Sequence, residues 1–212
     1  MKTQSKRQPR GEFYPSSCTR NAFSLIEMLV TLAIILIMFV LLWGRGSSNF
    51  QKQQKAACQK NLHTLYLALD LYAKENKDLY PAKTGATSSE LPLGLLVPRY
   101  TTTMAPFICP GTKDSPLTEG RDLESQATSY AYYMGWKIAE TNAPILSDRQ
   151  INTSAKDAKD QVFSMDGKKP GNNHHKFGGN VLFTSGEVEA MPNRTPLALP
   201  TPPNIQLLNP RK

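Results

Sequence analysis

The sequence predicts an α+β protein in which a long amino-terminal helix, apolar first and amphipathic further on, packs against a small antiparallel-sheet head. Three observations support this prediction. Residues 23–43 form an almost uninterrupted apolar run, residues 50–74 contain neither proline nor glycine, and short β-prone segments separated by turn residues follow. A long helix followed by such strands favours a sheet packed on that helix.

The chain has 212 residues and a net charge of +8, which leaves room for one head domain beside an anchor. Half of the excess charge lies in residues 1–22, a basic leader, and the remaining positive residues are scattered. No stripe of Lys and Arg alternates with aromatic residues that could stack on bases. The composition therefore does not indicate nucleic-acid binding.

The run from Phe23 to Trp43 has the length of a transmembrane helix. At about 1.5 Å per residue it spans roughly the 30 Å of hydrocarbon in a bilayer. No small-x-small cleavage site follows Trp43, so an ordinary secretory signal fits poorly. Because basic residues precede the run, we expect a single-pass protein with a cytoplasmic amino terminus.

Glu27 is the one charged residue in this run. A carboxylate at full membrane depth costs about 2.5–3.5 kcal/mol, which the many apolar residues outweigh. Cleavage after Ala22 would create a positive partner at similar depth, the α-amino group of Phe23, on a neighbouring copy. The alternative is a glutamate at the membrane surface that extends into the headgroup region.

The segment Asn21-Ala22-Phe23-Ser24-Leu25-Ile26-Glu27-Met28-Leu29-Val30 resembles the cleavage and methylation motif of type IV pilins and type II secretion pseudopilins. Ala22 stands where that family usually has glycine. The resemblance implies that a prepilin peptidase cuts between Ala22 and Phe23 and methylates the new amino group of Phe23. It also implies that Glu27 pairs with a neighbouring subunit during assembly, in the inner membrane, with the head in the periplasm or otherwise outside the cytoplasm.

Further along the chain, apolar residues recur at helical spacing and predict an amphipathic helix whose stripe packs on the head. The stripe comprises Leu62, Leu65, Tyr66, Leu69, Tyr72 and Ala73. The predicted organisation is a cleaved leader at 1–22, a transmembrane helix at 23–43, a continuing amphipathic helix at 44–75, a head at 76–191 and a proline-rich flexible tail at 192–212.

Within the head, Thr87 to Glu90 resembles a capping box ahead of a short helix at Leu91 to Val97. Six short strands are predicted from β-prone runs: Phe107 to Cys109, Ser129 to Trp136, Ile145 to Ser147, Val162 to Met165, Gly179 to Thr184 and Glu187 to Met191. The two residues Ser185 and Gly186 separate the last two strands, a spacing that suits a tight hairpin.

The same region resembles the carboxy-terminal H-x9-D-G signature of prepilin-like proteins from planctomycete- and verrucomicrobium-type bacteria. His175 takes the histidine place, Gly186 takes the glycine place, and Asn180 opens the strand between them. Ser185 replaces the usual aspartate, which puts in question any role that needs a carboxylate at this turn.

Three cysteines occur, Cys18, Cys58 and Cys109. Removal of the leader would leave Cys58 and Cys109 as a pair, which either forms a disulfide in an oxidising compartment or remains as two thiols.

Four further residues could be drawn together as a metal or hydrolytic site: Asp148, Asp166, His174 and His175. Turn-capping aspartates and hydrogen-bonding histidines are the simpler interpretation, so we expect no metal and no cofactor. Some pseudopilins that resemble this chain bind calcium, but their ligands do not map onto this sequence.

Three functional hypotheses follow. The first is a pilin-like structural subunit that assembles through its apolar helix. The second is a membrane-anchored binding module that does not polymerise. The third, a hydrolase built around His174 and His175, is the least supported, and we predict that the protein is not an enzyme.

Overall fold

The structure, a computed structural model, describes residues 24–43, 47–168, 170–171, 174 and 177–211. The chain forms two compact units, Met1–Arg45 and Gly46–Lys212. The described part of the first unit is a single helix, and the second unit contains the head.

The helix of the first unit, α1, extends over Leu25–Trp43. It begins at Ser24, whose carbonyl oxygen accepts hydrogen bonds from the backbone N–H groups of Glu27, at 3.0 Å, and Met28, at 3.2 Å. Glu27 lies in the first turn, where the helix dipole stabilises a negative charge.

The second unit opens with helix α2, Ser47–Glu75. Its buried side chains repeat every three or four residues and so share one face of the helix: Cys58, Leu62, Leu65, Leu69 and Ala73. Tyr66 and Tyr72 border this face and are partly buried. The predicted amphipathic stripe is therefore confirmed. The helix is closed by Asp78, whose N–H donates to the carbonyl oxygen of Ala73 at 2.9 Å.

A five-stranded antiparallel sheet forms the centre of the head, which confirms the predicted α+β class. Its strands are β1 (Tyr130–Met134), β2 (Pro144–Asp148), β3 (Gly179–Phe183), β4 (Val188–Met191) and β5 (Gln206–Leu208). In space the order is β4-β3-β2-β1-β5. The two strands around Ser185 and Gly186 pair as an antiparallel hairpin, as predicted.

The sheet is covered on both faces. Helix α2 packs on one face near β3 and β4, and the main core forms between them. A second apolar cluster lies apart from this core and consists of Val162, Phe163, Val181, Phe183, Met191 and Leu199. Because neighbouring strand residues point to opposite faces, Leu182 joins the main core while Val181 and Phe183 join the second cluster.

Two of the predicted strands are wrong. The segment Phe107 to Cys109 follows a 3-10 turn at Ala105–Phe107 and belongs to no strand. Val162 and Phe163 are buried, but both donate their N–H groups to the carbonyl oxygen of Asn193 instead of joining the sheet. The β-prone composition of these segments reflects their burial in the fold and not strand pairing.

The predicted helix from Leu91 to Val97 is shorter and less regular. It consists of α3, Glu90–Leu93, followed by a 3-10 turn at Gly94–Leu96. The predicted capping box is wrong, because Glu90 is fully buried and accepts a hydrogen bond from the backbone N–H of Thr128 at 3.0 Å. The carboxylate thus serves a tertiary contact rather than its own helix.

The prediction of a flexible tail at 192–212 is also wrong. Residues Gln206–Leu208 form β5 and pair with β1, and Leu207 is buried in the main core. Arg211 donates its backbone N–H to Glu90 Oε1 at 2.9 Å. Proline content suggested an extended appendage, but a few apolar residues at the right spacing suffice to anchor it.

Candidate functional site

Helix α1 presents apolar side chains on all sides. Every side chain described between Ser24 and Leu41 is exposed, from Leu25 at 83% to Val30 at 49%. A soluble surface helix has a polar face, whereas a helix that is apolar all round is normally enclosed by protein or lipid. Within the described part of the chain, no helix is long and apolar enough for a membrane crossing.

Glu27 is exposed on this helix and is its one ionisable residue. Thr31, one turn further on, turns its hydroxyl back to the carbonyl oxygen of Met28 at 3.0 Å. Within the described residues of α1, Glu27 is thus the one ionisable group that could pair with a partner. Ala22 and Phe23, the predicted processing site, lie outside the described residues.

A second constellation lies inside the head, and we call it the buried cluster: Cys58, Cys109, Asp148 and His174. Three elements and a loop bring these residues together. Cys58 lies on the buried face of α2, Cys109 follows the 3-10 turn at Ala105–Phe107, Asp148 ends β2, and His174 lies in the connection to β3. All four are buried, with His174 the most exposed at 1%.

Cys58 and Cys109 are joined by a disulfide, with their Cα atoms 5.3 Å apart. The sequence left open whether these thiols are linked. The bond ties α2 to the segment in front of β1, and such a covalent link suits an oxidising compartment.

His174 makes close contacts with two other members of the buried cluster, Cys109 and Asp148. Its Nε2 atom lies 3.3 Å from Cys109 Sγ and 3.2 Å from Asp148 Oδ2. The same carboxylate oxygen accepts hydrogen bonds from the backbone N–H of Asn180 at 2.8 Å and from its Nδ2 at 3.1 Å. Asp148 Oδ1 and His174 Nδ1 have no hydrogen-bond partner among the described residues.

Lys55 lies one turn before Cys58 on α2 and faces the same region. Its ammonium group donates to the carbonyl oxygens of Phe177 and Met191. Burial lowers the pKa of Lys55, and the negative charge of Asp148 opposes that shift. The carbonyl oxygen of Lys55 in turn accepts a hydrogen bond from Asn180 Nδ2 at 3.1 Å. Asn180 therefore links the backbone of α2 to Asp148.

The residues of the carboxy-terminal signature take different positions. Gly186 sits in the β3–β4 turn with a positive φ of 85°, and a Cβ atom there would lie 2.7 Å from the ring of Tyr66. Ser185 is exposed, and its hydroxyl accepts the N–H of Glu187 at 3.4 Å. An aspartate would accept the same N–H, so serine preserves the turn contact. His175 lies outside the described residues.

The metal or hydrolytic grouping suggested by the sequence is only partly assembled. Asp148 and His174 meet, whereas Asp166 is exposed and caps its own turn by accepting hydrogen bonds from Ser164 and Lys168. In the sequence, Cys58 and Cys109 form one candidate pair, and Asp148 and His174 belong to another candidate grouping. Nothing in their spacing shows that the fold places all four together.

Comparison with known proteins agrees with the amino-terminal motif. Residues 18–43 match the family model described as the prokaryotic N-terminal methylation motif. No curated protein and no solved structure matches the chain. The match includes Ala22, Phe23 and Glu27. It supports a prepilin-type, pilin-like protein that a prepilin peptidase processes, and it suggests a membrane-anchored protein.

Proposed function

We propose that this protein is a pilin-like structural subunit that assembles through α1 into a pilus or a type II secretion pseudopilus. In this proposal the peptidase cuts between Ala22 and Phe23 and methylates the new amino group of Phe23. The observation that carries the proposal is the methylation motif at residues 18–43, followed by a helix whose one ionisable side chain is Glu27.

The energetics favour pairing of Glu27 with the amino terminus of a neighbouring copy. An α-amino group has a pKa near 8 and carries a positive charge at neutral pH. Two unit charges about 4 Å apart attract by about 4 kcal/mol at an effective dielectric constant of 20. This attraction offsets part of the cost of placing the two charges in hydrocarbon, which is roughly 2.5–3.5 kcal/mol for the carboxylate alone. The pair would fix the register between neighbouring α1 helices.

The proposal also places the stretch from Phe23 to Trp43 in the inner membrane as a single-pass anchor. The basic leader supports a cytoplasmic amino terminus. The Cys58–Cys109 disulfide supports a head on the oxidising side of the membrane. This assignment rests on the sequence stretch and on the motif.

We further propose that the carboxy-terminal signature has a structural role rather than a catalytic one. Because Gly186 has no side chain, the ring of Tyr66 can pack against the hairpin turn. Asn180 donates two hydrogen bonds to Asp148. His174 is buried against Asp148 and the disulfide, where a substrate has no access. These contacts argue for a non-catalytic head and against a hydrolase.

The first test is mass spectrometry of the amino terminus, on protein taken from cells that contain a prepilin peptidase. We expect the mature chain to begin at a methylated Phe23. A mature chain that retains residues 1–22 would refute processing at this site and remove the basis of the proposal.

The second test concerns assembly and uses Glu27→Gln, which removes the charge at nearly constant size. We expect membrane insertion and cleavage to continue while the amount of chain recovered in sheared fibres, or cross-linked to another copy, falls at least ten-fold. Glu27→Asp should restore part of the assembly. Glu140→Gln, at an exposed position of the head, is the matched control and should assemble normally.

The same experiment distinguishes assembly through α1 from the rival hypothesis of a membrane-anchored binding module that does not polymerise. For such a module, Glu27→Gln and the unsubstituted chain would behave alike in the fibre and cross-linking assays. Absence of fibres and of cross-linked copies from both chains would refute assembly through α1 and leave the anchored module, whereas equal assembly of both chains would refute the role of Glu27.

A further inference from the structure

The buried cluster contains four side chains of the kinds that form a closed tetrahedral metal site: two cysteines, an aspartate and a histidine. We propose that the dithiol form of this protein binds one thiophilic divalent cation, such as Zn²⁺, through Cys58, Cys109, Asp148 and His174, and that the disulfide and the metal are alternative states of the same site. This inference does not depend on whether the protein assembles into a fibre.

The spacing of the donor atoms fits such an ion. One ligand atom from each of the four side chains lies within 4.8 Å of every other. With a metal–sulfur distance of about 2.3 Å, two thiolates at tetrahedral angles are about 3.8 Å apart. Opening the disulfide to that separation requires a small movement of side chains that are already adjacent.

The chemistry of the donors selects the class of metal. Two thiolates and an imidazole favour Zn²⁺ and similar soft or borderline ions, whereas Ca²⁺ and Mg²⁺ require oxygen ligands. The set therefore differs from a calcium site, and it departs from the expectation of no metal that the sequence suggested.

The surroundings of the cluster resemble the outer shell of a metal site. Asn180 donates two hydrogen bonds to Asp148 Oδ2, which orients the carboxylate, and such partners commonly strengthen metal binding ten- to a hundred-fold. Asp148 Oδ2 lies 3.2 Å from His174 Nε2, while Asp148 Oδ1 is buried without a hydrogen-bond partner among the described residues. Lys55 lies near enough to interact electrostatically with Asp148, which reduces the negative charge of the loaded site.

Burial indicates a structural metal site rather than a catalytic one. Cys58, Cys109 and Asp148 have no exposed surface, and catalytic zinc sites keep one position open to water or substrate. The disulfide and Asn180 already hold together α2, the segment around Cys109 and the end of β2. A metal would connect these elements to the loop that carries His174.

The two states interconvert through a balanced two-electron reaction. A dithiol reductant gives two electrons and two protons to the Cys58–Cys109 bond and becomes a disulfide itself. The metal then displaces the two thiol protons into water, because metal ligands bind in their deprotonated forms. In the reverse direction an external disulfide takes the two electrons, together with two protons from water, and becomes a dithiol, while the Cys58–Cys109 bond forms again and the metal leaves.

The experiment uses the full chain with Cys18→Ser, so that the leader thiol cannot contribute. The protein is kept reduced in mild detergent and titrated with Co²⁺, whose thiolate charge-transfer and tetrahedral d–d absorption reports the ligands. We expect one Co²⁺ per chain, its displacement by Zn²⁺, and slower alkylation of Cys58 and Cys109 when Zn²⁺ is bound. The oxidised chain should bind at least a hundred-fold more weakly.

Variants test the ligand assignment. Cys109→Ser and His174→Ala should each weaken Co²⁺ binding at least ten-fold, while His63→Ala, at an exposed histidine on α2, should change nothing. If His174→Ala fails to fold even with the disulfide formed, His174→Cys should still bind one Co²⁺ and show stronger charge-transfer absorption.

Either of two results would overturn the proposal. The first is a reduced, folded chain that takes up no stoichiometric Co²⁺ and gains no protection from alkylation with Zn²⁺. The second is binding that survives His174→Ala unchanged, or that His63→Ala removes, because the metal would then be held by surface groups.

Discussion

Gly186 allows a sharp test of the packing between the hairpin turn and α2. In Gly186→Ala the new methyl group would lie 2.7 Å from Tyr66 Cε1 and 2.9 Å from Cζ, at a residue with φ of 85°. The positive φ costs about 1–2 kcal/mol for a residue with a side chain. Overpacking against the ring adds about 1–3 kcal/mol, so we expect a total loss of about 2–5 kcal/mol in the free energy of unfolding.

Gly120→Ala supplies the matched control, because Gly120 has a similar φ of 77° but no atom within 4 Å of the added methyl group. Thermal unfolding of the two variants should differ by about 1–3 kcal/mol, or roughly 2–12 °C in Tm for a domain of this size. Gly186→Ala should destabilise the protein more than Gly120→Ala, and most of this difference should disappear when Gly186→Ala is combined with Tyr66→Leu. Equal destabilisation by the two glycine substitutions would refute the proposed contact with Tyr66.

Two further predictions concern the core. Leu69→Ala, at a fully buried position of α2, should lower the free energy of unfolding measured in urea by about 2–5 kcal/mol. Leu71 is 53% exposed, so Leu71→Ala should change that free energy by no more than about 0.5 kcal/mol. Similar losses at both positions would contradict the assigned buried face. Burial raises the pKa of Tyr130, Tyr132 and Tyr133, so the folded state keeps these protons longer than the unfolded state. The contribution of these tyrosines to the free energy of unfolding is therefore fully present below about pH 10. Above that pH it declines by about 1.4 kcal/mol per pH unit for each tyrosine. Tyrosinate absorbance and circular dichroism should therefore change together in an alkaline titration, and ionisation of these residues with the fold intact would disprove the assignment.

The parts of the fold that the sequence predicted are those with a strong local pattern. The α2 stripe was recognisable because Leu62, Leu65 and Leu69 follow the period of a helix. The β3–β4 hairpin was recognisable because the turn residues Ser185 and Gly186 separate two β-prone runs, although the connection between the strands is longer than the predicted two residues. Periodicity and turn chemistry are local properties that tertiary contacts here reinforce.

The failures have a different origin. Val162 and Phe163 have the composition of a strand, but their N–H groups bond to Asn193, a partner that no local pattern reveals. Glu90 was assigned to its own helix, although the fold uses its carboxylate to hold Thr128 and Arg211. Prolines dominate the stretch that contains β5, and a strand of three residues at the sheet edge is too short to stand out from them in the sequence.

The candidate sites divide in the same way. The amino-terminal motif is contiguous, so its residues could be recognised in order. The buried cluster is not contiguous, because Cys58, Cys109, Asp148 and His174 come from four separate segments. The sequence suggested Cys58 and Cys109 as a pair and grouped Asp148 with His174, but their spacing did not join the two sets, which the packing of α2 on the sheet places side by side.

The position of β5 beside β1 has a consequence for how the head reaches its final form. The main-chain groups along one side of β1 remain unpaired until the segment near Leu207 arrives, since β5 supplies their partners. During synthesis the amino end is made first, so the edge of β1 stays unpaired until the residues of β5 have been made. Such unpaired edges favour pairing with other chains. For the same reason, we expect loss of the residues after Pro202 to cause aggregation rather than a harmless shortening.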